Sequence, residues 1–358
     1  MELACVVNEP KSSRYHRLRR RAGFVSLGCS VAVLATLLAA RPALPLALYV
    51  LVLVFIHEAV TLPVAVYRNY FLEHRYELSK ESKSGWLRDH LKGFAIGVVL
   101  AVAGAQIVYA LIAWSERWWW VAAAVGGAGL TLLFVRLAPV LFLPLFFRFQ
   151  PLQRPDLAAR LVDLSRRAGV PVLGVYEWGL GAKTRRANAA LAGTGKTRRI
   201  LLSDTLLEEY GDDEIEVILA HELAHHVHHD IAKAIALEFA LLLGSGYAAS
   251  VAISRSWQPL GLLGPADSAG LPVLVLAAGA VMLAATPIVN AFSRFNERRA
   301  DRFALALTHR NEAFVSAMRR LGAQNLAEEN PSRTSVWLFY SHPPIGERIA
   351  AARAGGSV

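Results

Sequence analysis

The sequence predicts a mainly α-helical protein that crosses a membrane about six times and carries a domain with a small β-sheet. Of its 358 residues, 54% are hydrophobic and only 18% are charged, a balance typical of membrane proteins. Long apolar segments alternate with segments rich in arginine and lysine. The second half of the chain also contains a polar region whose short apolar runs, separated by glycine turns, are typical of strands.

The six apolar segments are each long enough to cross the hydrocarbon layer as a helix. They cover residues 24–40, 43–66, 94–114, 121–147, 232–253 and 271–292. Pro139 and Pro144 predict a kink or a tilt in the fourth segment. We therefore expect a basic N-terminus (1–23), an N-terminal membrane region (24–147) and a second region (148–358) that contains the last two spans and a soluble C-terminal part.

The positions of the basic residues predict how the chain is oriented. The net charge is +10, but the arginines and lysines cluster beside the apolar spans, as the positive-inside rule describes. This pattern indicates that the protein's partner is a lipid bilayer and that it does not bind nucleic acid. Six spans counted from a cytoplasmic N-terminus place every large basic segment on one side. We therefore expect a multi-pass protein of the bacterial cytoplasmic membrane with both termini in the cytoplasm.

The polar region between the fourth and fifth spans predicts a mixed set of elements. An amphipathic helix should open at Pro155 and end near Gly169, and a later helix, capped by Asp212 or Asp213, should continue into the fifth span. The predicted strands cover residues 170–178, 187–192 and 199–202. Residues 190–197 also fit a relaxed phosphate-binding loop, but such a loop opens a helix, whereas here a strand-like segment follows.

The motif His221-Glu222-x-x-His225 indicates a metal site on this later helix. Residues four apart share one helical face, so both imidazoles can point at one ion, and Glu222 can reach a water molecule beside it. One class of such enzymes has a third histidine six residues further on, but Ile231 occupies that position. His228 and His229 lie on the same side of the helix but too far along its axis, and we interpret them as histidines at the membrane interface.

A second acidic pair predicts the missing ligand. Glu297 and Asp301 are four residues apart just after the sixth span, so both should face the same way. Glu297 would be the third ligand, and Asp301 would accept a hydrogen bond from a ligand histidine. The alternative is a solvated helix in which both acids pair with Arg298 or Arg299. The histidine motif favours ligation, which predicts a gluzincin-type site with one zinc ion per chain.

With these residues, the chain resembles a prokaryotic member of a known family, the type I CAAX prenyl proteases and related membrane-integral gluzincins. The matching segments are 71–78, 86–89 with Lys92, 139–149, 188–189, 199–207, 341–344 and 347–348. The resemblance implies a zinc metalloendopeptidase that acts at the cytoplasmic face on peptide or protein substrates, including membrane-associated or C-terminally lipidated ones. Bacterial relatives with fewer spans act in membrane-protein quality control. Residues 184–187 depart from the family pattern, which bears on substrate preference.

The resemblance also implies roles for two residues outside the zinc motif. Asn188 matches an asparagine on the strand that lines the cleft, where it can hold the substrate backbone. His342 matches a histidine that stabilises the oxyanion of the tetrahedral intermediate. Without the resemblance, Asn188 would be interpreted as an asparagine in a turn and His342 as a histidine at the start of a helix.

Two other functions remain compatible with the pattern. Six spans with polar groups inside them could form a transporter or channel. A zinc site without catalytic activity could instead stabilise the fold of a membrane scaffold protein. His57 and Glu58 fall within the second span and Arg136 within the fourth, where charges face protein or water. We expect either a Glu58–Arg136 ion pair or residues that line a water-filled chamber.

Overall fold

A computed structural model of the protein describes residues 10–137, 147–181, 184–193, 195, 198–328 and 331–355. The kink predicted at Pro139 and Pro144, and part of the turn predicted before the last strand, lie outside these residues.

The prediction of six membrane helices is confirmed. The described residues contain six helices of sufficient length and apolarity, with 6–28% of each apolar window buried, as expected for surfaces that face lipid. They are α1 (Lys11–Ala40), α2 (Leu46–Val66, continued by a π turn and by α3, Leu72–Arg75), α4 (Lys83–Trp114), α5 (Trp119–Leu137), α9 (Asp230–Ser256) and α10 (Leu271–Thr308, preceded by a 3-10 turn).

Several helices extend beyond their apolar segments into polar sequence. Residues 11–23, predicted as part of a separate basic terminus, form the first turns of α1. Tyr15 there donates a hydrogen bond of 2.5 Å to Glu73, which also accepts one of 2.9 Å from Arg186. The start of α1 therefore packs against the segment that leads into the small sheet.

Within the membrane region, α9 packs between α5 and α10. Gly246 permits this close approach, because a Cβ atom at that position would lie 3.1 Å from the Cβ of Trp120. Small residues at such contacts are typical of helix packing in membranes. At one end of the bundle, Tyr109 donates to the carbonyl of Asp267 and Ser268 donates to the carbonyl of Leu44.

The predicted small sheet is also confirmed. It has four strands in the order β1 (Phe149–Pro151), β2 (Val175–Trp178), β4 (Arg199–Ser203) and β3 (Ala189–Ala192). The β2–β4 pair is parallel and the other two pairs are antiparallel. The strand β1 was not predicted. Because β3 lies last in the strand order of the described residues, it is an edge strand, and it contacts the helix that carries the histidine motif.

Of the remaining helices, five share one apolar core with the sheet and one, Arg333–Phe339, packs against α10. They are α6 (Pro155–Arg167), α7 (Asp204–Glu209), α8 (Asp212–Val227), α11 (Asn311–Gln324), α12 (Arg333–Phe339) and α13 (Ile345–Gly355). Leu157, Leu202, Leu219 and Phe314 are fully buried in this core. The core therefore fixes α8 rigidly on the side away from its histidines.

The continuous helix predicted from the histidine motif into the fifth span is wrong. The helix α8 ends at Val227, His229 adopts a left-handed conformation with φ 53°, and α9 starts at Asp230. This conformation is unfavourable for a residue with a Cβ atom, but it turns the chain so that Asp230 contacts α8. At the other end, Gly211 rather than Asp212 or Asp213 is the N-cap, and its N–H donates to Glu214 at 2.9 Å.

Candidate active site

The helix α8 places His221 and His225 side by side, as the spacing predicts. Their ring centroids lie 5.0 Å apart. Between them, Leu223 and Ala224 are completely buried in the core, so the apolar side of the helix cannot rotate outward without exposing them. The packing of α8 thus aims both imidazoles at the space in front of α10.

The helix α10 brings Glu297 to the same point. Its Oε2 lies 3.2 Å from Nε2 of His221 and its Oε1 lies 3.6 Å from Nε2 of His225. One ligand atom from each of the three residues lies within 4.8 Å of the others. Two ligands about 2.1 Å from a tetrahedral zinc ion are roughly 3.4 Å apart, so these separations fit a shared ion.

The hydrogen bonding of Glu297 supports the same conclusion. Its Oε2 is buried and makes no hydrogen bond of acceptable geometry, although imidazole nitrogens of His342 and His221 lie 2.8 and 3.2 Å away. A buried carboxylate oxygen is costly without a partner. Nitrogens that are close but not aligned with this oxygen are expected when all the groups point at an ion. The residues present therefore fit a bound metal.

Each histidine is held from behind by an aspartate. Nδ1 of His221 lies 2.9 Å from Asp301, as predicted, and Nδ1 of His225 lies 2.9 Å from Asp230. These contacts fix the imidazoles with Nε2 toward the shared point. Sequence reasoning missed Asp230 because it assigned this residue to the middle of a continuous helix. The one available signal was an acid that directly follows a cluster of histidines.

Two arginines hold these aspartates in turn. Arg348 donates to both carboxylate oxygens of Asp301, at 2.8 and 2.5 Å, and Arg299 bonds to Asp230. Arg298 instead pairs with Glu347 at 2.6 Å. The alternative in which Glu297 and Asp301 pair with Arg298 or Arg299 is therefore not the observed arrangement.

The electrostatics of the site favour positive charge among its carboxylates and shift the pKa of Glu222. Burial lowers the pKa of His221, but its close contacts with the carboxylates of Asp301 and Glu297 outweigh burial and raise that pKa to about 9. Positive charge is thus stabilised between these carboxylates. Burial raises the pKa of Glu222, which brings it closer to neutral pH. A carboxylate of this kind suits proton transfer, because general bases work best with a pKa near the working pH.

His342 lies over the same cluster, on a segment that α10 itself holds in place. Its Nδ1 is 2.8 Å from Oε2 of Glu297, and 63% of its side chain is exposed. Arg294 donates to the carbonyls of Val336 and Tyr340, at 2.9 and 2.6 Å. Arg294 lies one helical turn before Glu297, so a single helix positions both Glu297 and His342.

Tyr340 forms a second anchor for this segment. Its hydroxyl bonds to Glu328, which also accepts a hydrogen bond of 3.1 Å from Arg20 of α1. Burial raises the pKa of the Glu328 carboxyl, but the bonds from Tyr340 and Arg20 outweigh burial and hold that pKa below its usual range. The N-terminal helix therefore supports the segment that carries His342.

Asn188 lies at the entrance of the edge strand β3. Its side chain is exposed, its N–H donates to the Ser203 hydroxyl at 2.9 Å, and its carbonyl accepts from the Ser203 N–H at 2.9 Å. Two and three residues further along β3, Ala190 and Leu191 line the same cavity as Glu222. The strand thus runs beside Glu222.

This cavity has a volume of about 640 Å³ and reaches from the histidine motif between α9 and α10. Toward the membrane, its wall is mainly apolar and includes Leu237, Leu241, Met282, Val289 and Phe292. The cluster of candidate ligands therefore opens into a space bordered by two membrane-spanning helices.

The neighbouring histidines take no part in the cluster. His228 packs its ring against Phe303, with centroids 5.6 Å apart, and His229 lines an adjacent cavity of about 410 Å³. Burial and the positive charge of Arg198 lower the pKa of His226 to about 4, so it stays neutral. His228 and His229 thus lie outside the group of candidate ligands found among the described residues.

Of the two alternatives for Glu58 and Arg136, the ion pair is not the observed arrangement. Glu58 accepts a hydrogen bond of 2.7 Å from His90, and Arg136 lines the adjacent cavity with Arg198. Among the residues that the structure describes, no contact joins Glu58 to Arg136. His57 lies 2.9 Å from the hydroxyl of Ser30. The spans are thus rotated so that the polar groups of α2 face α1 and α4.

Comparison with protein families agrees with this geometry. Residues 151–355 match the model of peptidase family M48. The chain belongs to this family. Residues 12–148 match a second model, described as CAAX prenyl protease N-terminal, five membrane helices; the described part of that region contains four of the candidate spans. The protein is therefore a multi-pass membrane metalloprotease, and the M48 match places the sheet, the histidine motif and the C-terminal helices in one peptidase unit.

Alignments with individual relatives cover most of the chain. An uncharacterised metalloprotease, YhfN, of Bacillus subtilis is 32% identical over 85% of this chain and 72% of its own length. The CAAX prenyl protease 1 homolog of Arabidopsis thaliana is 28% identical over 81% of this chain and 69% of its own length. The predicted resemblance to the CAAX prenyl proteases, and to a prokaryotic member, is confirmed.

A solved structure shows the same fold. The crystal structure of S. mikatae Ste24p aligns with a TM-score of 0.82 and covers 98% of this chain and 92% of that chain, at 19% sequence identity. The membrane helices and the peptidase unit therefore share one overall arrangement in the two proteins.

Proposed function

We propose that this protein is a zinc endopeptidase that cleaves peptide bonds at the cytoplasmic face of a bacterial membrane. The observation that carries the proposal is the convergence of His221, His225 and Glu297 beside Glu222, in a cavity that opens between membrane helices. Neither a transporter nor a scaffold stabilised by zinc needs a glutamate with a raised pKa beside the metal ligands.

The proposed metal ligands are Nε2 of His221, Nε2 of His225 and the carboxylate of Glu297, which would hold one zinc ion per chain. Bound zinc would supply Lewis-acid polarisation of a water molecule and of the scissile carbonyl. Asp301 and Asp230 keep the Nε2 lone pairs of the two histidines directed inward, because each accepts the Nδ1 proton of its histidine.

The proton transfers are assigned to Glu222. Its carboxylate accepts a proton from the attacking water and delivers it to the amine that leaves, and its raised pKa makes both transfers feasible near neutral pH. His342 donates a hydrogen bond to the oxygen of the scissile carbonyl as negative charge develops there. Its exposed side chain beside Glu297 is consistent with that role.

The edge strand β3 would bind the substrate. Its unpaired side can add an extended peptide by strand addition, and Asn188 at its start would hold the substrate backbone with its side-chain amide. A peptide on β3 would pass the catalytic groups, since Ala190 and Leu191 share the cavity with Glu222.

The substrate class follows from the membrane side of the cavity. Its apolar wall between α9 and α10 suits a membrane-associated segment or a C-terminal lipid group, as in CAAX processing or in membrane-protein quality control. The distribution of basic residues supports cytoplasmic termini. We further propose a division into a basic N-terminus (1–23), a membrane region (24–147) and a metalloprotease region (148–358).

Metal content and peptide cleavage of the protein purified in detergent test the proposal together. The wild-type protein should contain one zinc per chain and cleave extended peptides, and Glu222→Gln should keep the zinc and lose cleavage. Zinc without any cleavage in the wild type would indicate a scaffold. A wild-type protein that binds no metal would favour a transporter.

A further inference from the structure

A carboxylate in a membrane-spanning helix lies on the wall of the active-site cavity. Glu238, two helical turns after the start of α9, lines the cavity together with Glu222 and Glu297. Its neighbours along the helix, Leu237 and Leu241, are apolar. Ionisable residues at such positions are rare and face a cavity or a partner, so the position of Glu238 calls for a functional reason.

The only partner that the described residues offer Glu238 is neutral. Oε1 accepts a hydrogen bond of 2.8 Å from the hydroxyl of Thr131 in α5. No arginine, lysine or histidine of the described chain forms an ion pair with this carboxylate, and the lining of its cavity contains neither lysine nor arginine. The arginines Arg136 and Arg198 line the adjacent cavity instead.

The contact between α5 and α9 does not by itself require the negative charge of Glu238. A glutamine carbonyl would accept the Thr131 hydrogen bond equally well. Three other acids line the cavity. Asp230 is engaged by Arg299 and Glu297 by the histidine cluster, and Glu222 lies beside the candidate metal ligands at the far end from Glu238. Glu238 therefore contributes an uncompensated negative charge to a largely apolar wall, which attracts a cation.

We propose that Glu238 forms a specificity subsite for a positively charged group of the peptide substrate, namely the side chain of a lysine or an arginine. The long apolar stem of such a side chain can pack along Leu237 and Leu241 while its charged end reaches the carboxylate. This assignment rests on the proposed peptidase function and adds a preference for a basic residue near the scissile bond.

The test compares matched fluorogenic peptides in which one position at a time is lysine, arginine or norleucine. With the zinc-loaded wild-type protein, lysine and arginine should raise kcat/KM about tenfold over norleucine at one position, since hydrogen bonds to charged groups are the strong ones. Glu238→Gln keeps the bond to Thr131 but removes the charge, so in this variant kcat/KM for the lysine and arginine peptides should fall to the value for the norleucine peptide. Thr131→Val removes the bond and keeps the charge, and should preserve the preference.

A second readout does not depend on turnover. In a Glu222→Gln background, labelled lysine peptide should bind about tenfold more tightly than the norleucine peptide, and adding Glu238→Gln should equalise the two. Comparing peptides that have acetylated or free N-termini shows whether the subsite binds the side-chain amine or the terminal amine.

Three results would overturn the subsite: no preference in the wild type, an unchanged preference in Glu238→Gln, or equal loss of all peptides in that variant, which indicates a packing role. Failure of the proposed peptidase function is distinguishable, because then the wild-type protein would cleave none of the peptides.

Discussion

Asp230 offers a sharp test of how the site is built, because its contact with His225 was found only in the structure. Its carboxylate lies 2.9 Å from Nδ1 of His225 and also binds Arg299, and the residue is only 7% exposed. We expect Asp230→Asn to weaken zinc binding, since the amide can still accept the Nδ1 proton but the negative charge that strengthens the bond is gone.

The magnitude follows from the bonds that change. A hydrogen bond to a charged group contributes about 1.5–3 kcal/mol and a neutral one about 0.5–1.5 kcal/mol. The difference of roughly 1.4 kcal/mol corresponds to about a tenfold weaker zinc affinity for Asp230→Asn. Asp230→Ala also frees the His225 ring to rotate, so its loss should approach about a hundredfold, the upper range for groups that orient metal ligands.

Competition with a chromophoric chelator measures these affinities directly. Asp163→Asn is the matched control, because Asp163 is exposed and pairs only with Arg166 on the same helix; its zinc affinity should equal that of the wild type. If Asp230→Asn and Asp230→Ala both bind zinc as tightly as the wild type, Asp230 does not orient His225 and the account of the site is wrong on this point.

Three further predictions concern the surroundings of the site. Arg294→Ala should lower kcat about tenfold or more with zinc content unchanged, because it releases the segment that carries His342; reduced zinc content would contradict this. Leu219→Ala should destabilise the protein by about 2–5 kcal/mol, measured by thermal unfolding in detergent against Leu173→Ala, whose side chain is 61% exposed in the wild type. The depressed pKa of Glu328 means that its stabilisation is present above about pH 4 and is lost as the pH falls. The difference in unfolding midpoint between wild type and Glu328→Gln should therefore shrink below that pH, and a constant difference would refute the ion pair.

The parts of the structure that sequence could predict are those governed by local rules. A membrane span needs about twenty apolar residues, so hydropathy located all six. The pairs His221 and His225, and Glu297 and Asp301, are four apart on helices, and their spacing alone places each pair on one face.

The parts that sequence could not predict depend on tertiary contacts. The break between α8 and α9 occurs at His229, where no glycine marks the left-handed conformation. The partner of Glu58 depends on how α2 and α4 are rotated about their axes. The hydropathy of an apolar helix does not specify this rotation. The role of Arg294 depends on backbone carbonyls more than forty residues later in the chain.

The central claim is that Glu297, contributed by a different helix from the two histidines, completes a zinc site in which Glu222 is not a ligand. Zinc per chain, measured side by side for the wild type, Glu222→Gln and Glu297→Gln after identical dialysis, tests it most directly. The account predicts one zinc in the first two proteins and a large loss in Glu297→Gln. Full retention of zinc by Glu297→Gln, or its loss from Glu222→Gln, would contradict the assignment.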